Sequence, residues 1–454
     1  MGAFRDSELM ARGLLHERSM AGDRPGRIHL LYVSSHGLME PAGRAQVVAL
    51  AHSQRREIEV SAVSFETRKD LADERRWIAL EAELRGREIS WAPLVRHRSP
   101  PMAAAAWNLL RGTWASGTIA RRQQVNVVHA RGYSAGLIGL VVKAATGARL
   151  VFEMRGFWPE EGVEMGRFQP RSLLYRAAKR LERRLLASAD HVVVLTESAK
   201  AILREREAEF RLSSPGVREA PITVVHCAVD LERFHPRPRD LEIARRHGLE
   251  SSLVIGNIGA FNKRYLALEM FRFAFHVKAH RPDLRFVYLT GENPDVVRRI
   301  ARDAGLEDRD VLIVHAEAED VPRWLSLFRL GVFFLRPSYA AKASGLAKLG
   351  EFLAAGVPVV ANTGVGDVDR VITSERGGLV LSGLTDRDLS SFARKALPLL
   401  EGDAVPDEVR RVCGTIASEH FALSDAARRY RTIYDSLASL PHSGEEAPIA
   451  AGVG

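Results

Sequence analysis

The chain has 454 residues, a length that is typical of two or three domains. Its composition, 46% hydrophobic and 27% charged, is close to that of soluble globular proteins and excludes a wholly disordered chain. Two cysteines, Cys227 and Cys413, are too few for a disulfide scaffold and favour a reducing compartment. Because no apolar run reaches the roughly 18 residues of a membrane span, and the first 26 residues lack the apolar core of a signal peptide, we expect a cytoplasmic protein.

The net charge of +9 is unevenly distributed along the chain. Residues 1–209 contain 33 Lys and Arg against 24 Asp and Glu, whereas residues 210–454 contain 32 of each kind. This asymmetry indicates an anionic partner for the first half, which could be nucleic acid, a membrane surface or a phosphorylated substrate. A GC-rich genome would explain the preference for Arg over Lys but not the asymmetry.

Strands and helices alternate in chain order. Short, β-branched runs are found at residues 28–33, 58–65, 125–129, 149–153 and 191–195, with helical patterns between them. A polar stretch at 205–221 interrupts the alternation, and a second series of strands follows at 253–258, 285–289, 311–314, 331–335 and 357–361. Buried strands that alternate with helices form parallel sheets covered on both faces. The sequence therefore predicts an α/β protein with two Rossmann-like, doubly wound domains.

The predicted boundaries follow from these two series. We expect an N-terminal extension at 1–26, a first domain at 27–235, a second domain at 236–420, a final helix at 421–438 and a flexible tail at 439–454. Open parallel sheets bind ligands beyond the carboxyl ends of their strands. Two such domains that face each other create a cleft, and we expect the functional site there.

The segment from Pro337 to Ala361 has the features of a phosphate site. It leaves a strand, crosses a small-residue loop at 342–345 and enters a helix, whose free N–H groups and dipole suit a diphosphate. Lys342 and Lys348 add cationic donors. Glu351, about two turns into the helix, could accept hydrogen bonds from the vicinal hydroxyls of a ribose. The alternative is an ordinary crossover helix with a surface carboxylate.

This segment resembles the donor-site signature of the retaining glycosyltransferases of family 4, which have two Rossmann-like domains in the GT-B arrangement. The common signature has two glutamates eight positions apart before an Ala-x-Gly-x-Pro-Val-Val segment. Glu351 matches the second glutamate, whereas Ala343 occupies the first position. Lys342-Ala343-Ser344 followed by Lys348-Leu349-Gly350-Glu351 is similar to one branch of the family. Further similar segments are the opening loop at 35–47, Ser-Phe-Glu at 64–66, His129-Ala130-Arg131, residues 153–158, the glycine loop at 363–369 and a last helix at 421–437.

The resemblance implies a set of donor-binding residues and a last helix that crosses back onto the first domain. The donor residues are Gly256, Asn257, Gly259, Lys263, Arg264, Ser344, Gly345, Leu346, Lys348 and Glu351. Many members carry Arg and Lys where this chain has Asn257 and Asn262, so Lys263 or Arg264 would supply that charge through a differently shaped loop. The alternative is that Lys263 and Arg264 are solvated side chains at a helix start.

The opposite wall supplies the acceptor-side residues, which follow strand ends or belong to the opening loop. They are Glu40, Gly43, Arg44, Arg131, Arg155, Trp158, Glu160 and Glu161. The residues we predict to be catalytic are Glu351, Lys342, Arg155 and His129, although a lone histidine after a strand is more often structural. We expect no metal and no cofactor besides the nucleotide sugar co-substrate.

The implied activity is the transfer of a sugar from a nucleotide diphosphate sugar to a hydroxyl of a bacterial polysaccharide or lipid-linked oligosaccharide, with retention. Ala343, Asn257 and Asn262 also allow a catalytically silent subunit that binds a nucleotide sugar or a partner. An epimerase or hydrolase of the same architecture is a further alternative.

The arginine-rich segment at 171–185 has leucines and alanines at helical spacing and is predicted to be an amphipathic helix. Packing against the sheet accounts for its leucines. For its basic residues we expect an anionic membrane surface on the inner face of the cell membrane, and no nucleic acid, as the partner.

Overall fold

A computed structural model of the protein describes residues 27–40, 58–213, 220–259, 263–373 and 377–439. The predicted extension at 1–26 and all of the predicted tail except Ser439 lie outside these ranges. Within them the chain folds into two parallel sheets, each with helices on both faces. The predicted α/β class with two doubly wound domains is confirmed.

The first sheet has seven parallel strands in the spatial order β3-β2-β1-β4-β5-β6-β7. Its strands are β1 (Ile28–Ser34), β2 (Ile58–Glu66), β3 (Ile89–Val95), β4 (Val127–Arg131), β5 (Arg149–Met154), β6 (His191–Val194) and β7 (Ile222–Val224). The helices between them are α1 (Arg68–Ala72), α2 (Glu74–Gly86), α3 (Pro101–Arg122), α4 (Tyr133–Thr146), α5 (Trp158–Glu164), α6 (Leu173–Ser188) and α7 (Glu197–Ser213).

The second sheet has six parallel strands in the order β10-β9-β8-β11-β12-β13. They are β8 (Leu253–Ile258), β9 (Leu284–Leu289), β10 (Val311–Val314), β11 (Phe328–Phe333), β12 (Val359–Asn362) and β13 (Gly378–Leu381). The accompanying helices are α8 (Leu241–Arg246), α9 (Ala267–Lys278), α10 (Pro294–Asp303), α11 (Val321–Leu325), α12 (Ala347–Ala354), α13 (Val368–Val371), α14 (Asp386–Ala396) and α15 (Asp407–Phe421). Single 3₁₀ turns are found at Asp308–Asp310, Ala318–Asp320, Ala340–Ala343 and Leu397–Leu400.

The last helix, α16 (Leu423–Ala438), returns to the first domain, as the resemblance implied. Its apolar face, which includes Tyr430, Ile433 and Tyr434, belongs to the core cluster that contains Leu30 and Val127 of the first sheet. The helix begins at Leu423 rather than at the predicted residue 421, because Phe421 still belongs to α15. The extended conformation of Ala422 (φ −58°, ψ 130°) separates the two helices.

Three strands and part of one helix differ from the predicted pattern. The missed β3 contains Pro93, which breaks a strand pattern but is tolerated at a sheet edge, where β3 lies. The missed strands β7 and β13 have only three and four residues. Helix α7 continues to Ser213, so it extends into the stretch at 205–221 where we expected an interruption.

Strand order reverses between β1 and β4 in the first sheet and between β8 and β11 in the second. At such a reversal, the connections after the two strands diverge to opposite faces and leave a crevice at the carboxyl ends. These two crevices contain the residues after β1, β4, β8 and β11. No helix within the described residues is long and apolar enough to cross a membrane.

Candidate functional site

The candidate donor site is formed by the start of α12 and the loop after β8. The Lys348 ammonium lies in a buried position, donates to Asn257 Oδ1 at 3.1 Å, and sits 4.1 Å from the centroid of the Tyr265 ring. Burial lowers the pKa of Lys348 to about 7, although Glu351 acts in the opposite direction. A β-carbon placed on Gly259, just after β8, would lie 3.8 Å from Lys348 Nζ. Lys348 therefore links the two segments that the sequence assigned to the donor.

Glu351 follows Lys348 by three positions and is half-buried. Burial raises its pKa, while the nearby cations Lys348 and Arg233 partly oppose that rise. A half-buried carboxylate with cations nearby and an accessible edge is suited to accept hydrogen bonds from a neutral diol.

Two of the predicted donor residues, Asn257 and Gly256, have structural roles at the end of β8. Asn257 is fully buried, its Oδ1 accepts from Lys348 and from the N–H of Ile258, and its side chain therefore points into the second domain. A β-carbon on Gly256 would lie 1.8 Å from the carbonyl oxygen of Val287, so only glycine fits there. Both residues therefore fix the local structure at the end of β8, which lies beneath the candidate donor site.

Arg264 connects the donor side to the acceptor side. Its guanidinium donates to Ser344 Oγ at 2.6 Å and to Glu161 Oε1 of α5 at 3.2 Å. The side chains of Lys263 and Lys342 are exposed nearby. The structure thus brings together Arg264, Ser344 and Glu161, which the sequence had placed on opposite walls.

The loop at 340–345 packs closely on the first domain. A β-carbon on Gly345 would lie 2.6 Å from Leu195 and 2.7 Å from Cys227 Sγ, so the loop can approach only because this residue is glycine. Next to it, Arg155 donates to Cys227 Sγ at 3.5 Å and to Glu153 at 2.8 Å. Leu346, the residue before α12, is buried in the second-domain core. Arg155 therefore lies beside the start of the donor helix.

Ala343 has a role that differs from that of the family's first glutamate. It is 2% exposed and belongs to a core cluster with Phe157 and Tyr133 of the first domain. A carboxylate at this position would be buried among apolar side chains. The departure from the common signature thus corresponds to an apolar contact between the domains.

His129 is placed in the interior rather than in the cleft. It is fully buried, with Nδ1 2.5 Å from the Tyr434 hydroxyl of α16 and Nε2 3.0 Å from Glu153 Oε2. Burial alone would raise the pKa of Glu153, but Arg155, the hydrogen bond from His129 and Arg131 hold it well below its usual range. Both ring nitrogens of His129 are engaged, so this geometry favours a positioning role over the predicted catalytic one.

The opening loop after β1 is anchored by Glu66 at the end of β2. Its carboxylate accepts from the N–H of Leu38 at 2.7 Å and of Met39 at 3.3 Å. His36, in this loop, is exposed at its edge, and partial desolvation, followed by Arg131, Arg96 and Arg155, lowers its pKa to about 4. Arg131 and Arg155 share the carboxylate of Glu153, and Arg96 pairs with Glu40, so three arginines have two carboxylate partners at this loop.

The remaining acceptor-side residues divide into three groups. Glu40 pairs with Arg96 at 3.3 Å at the rim of the opening loop. Trp158 packs against the rings of Tyr133 and Phe168, and Glu160 pairs with Lys179 at 2.9 Å, so both stabilise the helices next to the cleft. Gly43 and Arg44 lie outside the described residues.

A contact between the domains that the sequence analysis did not identify involves Asp367, in the glycine loop of the second domain. Its carboxylate accepts from the N–H of Glu197 at 2.6 Å and of Ser198 at 3.1 Å, at the start of α7. Burial would raise the pKa of Asp367, but His226 and these N–H groups lower it. The two partners lie about 170 positions apart in the sequence, so no local pattern could have identified the pair. Among the described residues there is no group of three or more His, Cys, Asp or Glu that could hold a metal ion.

Comparisons with known proteins cover both domains. The model of the family described as Glycosyltransferase Family 4 matches residues 45–233, and the model described as Glycosyl transferases group 1 matches residues 252–402. A relative named D-inositol 3-phosphate glycosyltransferase 1, from Catenulispora acidiphila, is 25% identical over 368 residues, which are 77% of this chain and 82% of the relative.

Solved structures share the fold. Sucrose-phosphate synthase from Thermosynechococcus elongatus has a TM-score of 0.65 at 17% identity, over 90% of this chain and 99% of the other. The Anabaena protein HepE in complex with UDP-glucose has a TM-score of 0.63 at 14% identity, over 90% of this chain and all of the other. The two family matches, which lie one on each Rossmann-like domain and together cover most of the chain, identify it as a glycosyltransferase of GT-B architecture whose first domain matches glycosyltransferase family 4.

Proposed function

We propose that the protein transfers a sugar, with retention and without a metal ion, from a nucleotide diphosphate sugar to a hydroxyl of a bacterial polysaccharide or lipid-linked oligosaccharide. The observation that carries this proposal is the position of Lys348 and Glu351. Both lie on α12, opposite the loop after β8, at the switch point of the second sheet. This is the place where a doubly wound domain binds a nucleotide.

The residues at the start of α12 have the chemistry needed to stabilise a departing diphosphate. Backbone N–H groups at the beginning of the helix favour an anion, and Lys342 and Arg264 lie on the same loop or beside it. Lys348, whose pKa is about 7, would gain its proton when a diphosphate approaches. Fixed donors aimed at charge that develops in the transition state are the most effective source of rate acceleration. Glu351 would hold the ribose of the donor.

The acceptor side favours a substrate that carries a negative charge. Arg96, Arg131 and Arg155 lower the pKa of His36 in the opening loop, and they outnumber their carboxylate partners, Glu40 and Glu153, by one. The name of the relative from Catenulispora acidiphila includes a phosphorylated acceptor, inositol 3-phosphate, which supports an anionic acceptor of this general chemistry. A lipid-linked oligosaccharide, which is attached through phosphate groups, has the same property.

One rival function is favoured by a specific observation. Ala343 replaces the first signature glutamate and is buried between the domains, and Asn257 points away from the cleft. A chain that lacks the first signature glutamate, and whose side chain at position 257 does not face the cleft, could bind a nucleotide sugar without turning it over. That protein would be a silent GT-B subunit.

Incubation with a panel of UDP-, GDP- and ADP-sugars tests the proposal. We expect slow release of the free nucleoside diphosphate from one of them, and acceleration when lipid-linked or polysaccharide acceptors are added. Proton NMR of the product would give the anomeric configuration, and added EDTA should leave the rate unchanged. Binding without release would identify the silent subunit, and formation of an epimer, or hydrolysis that acceptors do not accelerate, would identify the other alternative.

A further inference from the structure

Helix α3 has an apolar stripe on its outer side. Met102 is 81% exposed, Trp107 52%, Leu110 65% and Trp114 56%. Their spacing of five, three and four positions places them on one side of the helix, and the opposite side is buried against the first domain. Single exposed apolar residues are ordinary, but a contiguous stripe with two tryptophans marks an interaction surface.

The same part of the molecule is strongly basic. Helices α3, α4 and α6 together have nine Lys and Arg side chains and one acidic side chain, Glu182. Glu182 is buried, accepts from the Tyr133 hydroxyl at 2.7 Å and pairs with Lys179, and Lys143 of α4 pairs with Asp190, so the unpaired charge of this layer lies mainly on arginines. Four arginines of α6 are exposed, and no described carboxylate forms an ion pair with them: Arg176, Arg180, Arg183 and Arg184. The three helices have a formal excess of eight positive charges, against +9 for the whole chain.

The three helices form one continuous layer on the first sheet. A β-carbon on Gly112 of α3 would lie 2.6 Å from Ile138 of α4, and one on Gly136 of α4 would lie 2.8 Å from Leu185 of α6. Helices α3 and α4 follow β3 and β4 and therefore begin at the carboxyl edge of the sheet, where the cleft lies, whereas the short helix α5 stands between β5 and α6. Leu173, in the first turn of α6, is 81% exposed and adds another apolar side chain to the surface of this layer.

We propose that this surface, the α3–α4–α6 face, docks on an anionic membrane. Trp107, Leu110 and Trp114 enter the boundary between headgroups and acyl chains, and the arginines of α6 contact the anionic headgroups. A second copy of the chain does not fit this surface, because two such faces, each with the four exposed arginines of α6, would repel. An acidic soluble protein would match the charge, but the tryptophan stripe of α3 and the exposed arginines of α6 give one layer both the aromatic and the basic side chains that suit a membrane interface.

Docking in this orientation would hold the mouth of the cleft near the bilayer. A lipid-linked acceptor could then reach the crevice without leaving the membrane. Only this consequence rests on the proposed function. The docking itself requires no activity and is measured without a sugar donor.

Flotation of the full chain with vesicles tests the docking. We expect recovery with phosphatidylglycerol-containing vesicles at low salt, much less at high salt, and little with pure phosphatidylcholine, because screening removes charge attraction beyond about 8 Å at physiological ionic strength. Tryptophan emission should shift to shorter wavelength on binding. Replacement of Arg180, Arg183 and Arg184 by Gln should weaken partitioning about a hundredfold, which corresponds to roughly 1 kcal/mol for each basic side chain.

Matched variants separate insertion from general charge effects. Trp107→Ala with Trp114→Ala should lose the spectral shift and most of the binding, whereas Leu241→Ala with Phe275→Ala, two exposed apolar residues of the second domain, should retain both. Replacement of the exposed Arg387, Arg394 and Arg411 by Gln removes the same charge and should leave binding intact. Equal recovery with both lipids, recovery with neither, or anionic binding unaffected by the tryptophan changes would overturn the proposal. UDP, GDP and ADP binding, measured in parallel, reports separately on the donor site.

Discussion

The buried ammonium of Lys348 couples stability to pH. Its pKa is about 7 in the folded protein against an ordinary value of 10.5, so between these values the unfolded chain binds more protons than the folded one. Stability therefore rises with pH across this window. Relative to Lys348→Met, we expect the wild type to gain about 2 kcal/mol in unfolding free energy from pH 7 to pH 9. Urea unfolding at both pH values measures this gain, and parallel pH profiles for the two proteins would refute it.

The carboxylate of Glu351 should contribute to donor affinity. Replacement by Gln removes its charge while it preserves shape, so we expect a loss of about 1.5–3 kcal/mol in the binding of the nucleoside diphosphate, the scale of a hydrogen bond to a charged group. Calorimetric titration with UDP, GDP and ADP measures it. Glu250→Gln, an exposed glutamate outside the cleft, is the control. Unchanged affinity in Glu351→Gln would show that the ribose is held elsewhere.

The helix that carries the proposed donor residues Lys348 and Glu351 could be predicted from the sequence because the whole helix lies in one continuous segment. The helical period and the family resemblance placed Lys348 and Glu351 on one helix next to a small-residue loop. Their partners could not be predicted in the same way, since Asn257 lies 91 positions before Lys348 and meets it only through the sheet. Neither did a local pattern reveal that Ala343 would pack on the first domain.

At the scale of secondary structure, α16 is attached to the first sheet through a polar contact inside an apolar interface. The Tyr434 hydroxyl bonds to His129, while the neighbouring Tyr32 hydroxyl is buried with no hydrogen-bond partner among the described residues. We expect Tyr434→Phe to lower the unfolding free energy by about 1–3 kcal/mol, because it leaves a buried His nitrogen unsatisfied. Tyr32→Phe should be neutral or stabilising. Urea unfolding measures the stability of both variants. An equal change in unfolding free energy in the two would contradict this account of the contact between α16 and the first sheet.

Helices and strands that are long or rich in β-branched residues were predicted well. Short strands and the strand at the sheet edge were missed. The strand at 253–258 was predicted with its observed limits. The edge strand β3 was missed because Pro93 interrupts its strand pattern. Strand β13 was missed because it has only four residues and begins with glycine. The helix at 171–185 was predicted correctly as amphipathic, but the exposed stripe of α3 required the structure, since its alanine-rich sequence does not reveal which side faces the sheet.

For the whole molecule, Asp367 forms one of the contacts that hold the two domains together. Its carboxylate lies at the N-terminus of α7, where the helix dipole and two N–H groups stabilise a negative charge. We expect Asp367→Ala to increase the radius of gyration in small-angle scattering. Asp369→Ala is the matched control, because the carboxylate of Asp369 bonds within its own loop, to the N–H of Gly364. Equal radii for wild type and both variants would mean that this contact does not set the domain arrangement.

A nucleoside diphosphate should decrease the radius of gyration, the opposite of the effect expected for Asp367→Ala. A donor held between α12 and the loop after β8 adds contacts across the cleft, so we expect UDP, GDP or ADP at saturation to make the particle more compact. The effect should be largest in Asp367→Ala, which starts from the more open state. Identical scattering with and without ligand in that variant would count against closure on the donor.

Hydrogen–deuterium exchange of the full chain, with and without the tightest-binding of UDP, GDP and ADP, tests the central claim most directly. If the cleft between the two domains binds the nucleotide sugar, protection will appear in the loop after β8, at residues 342–354, and at the start of α7, while the α3–α4–α6 face remains unchanged. Protection of the cleft segments that disappears in Glu351→Gln at the same ligand concentration is the predicted result. Saturating ligand that protects other segments, or none, would contradict a donor site on α12.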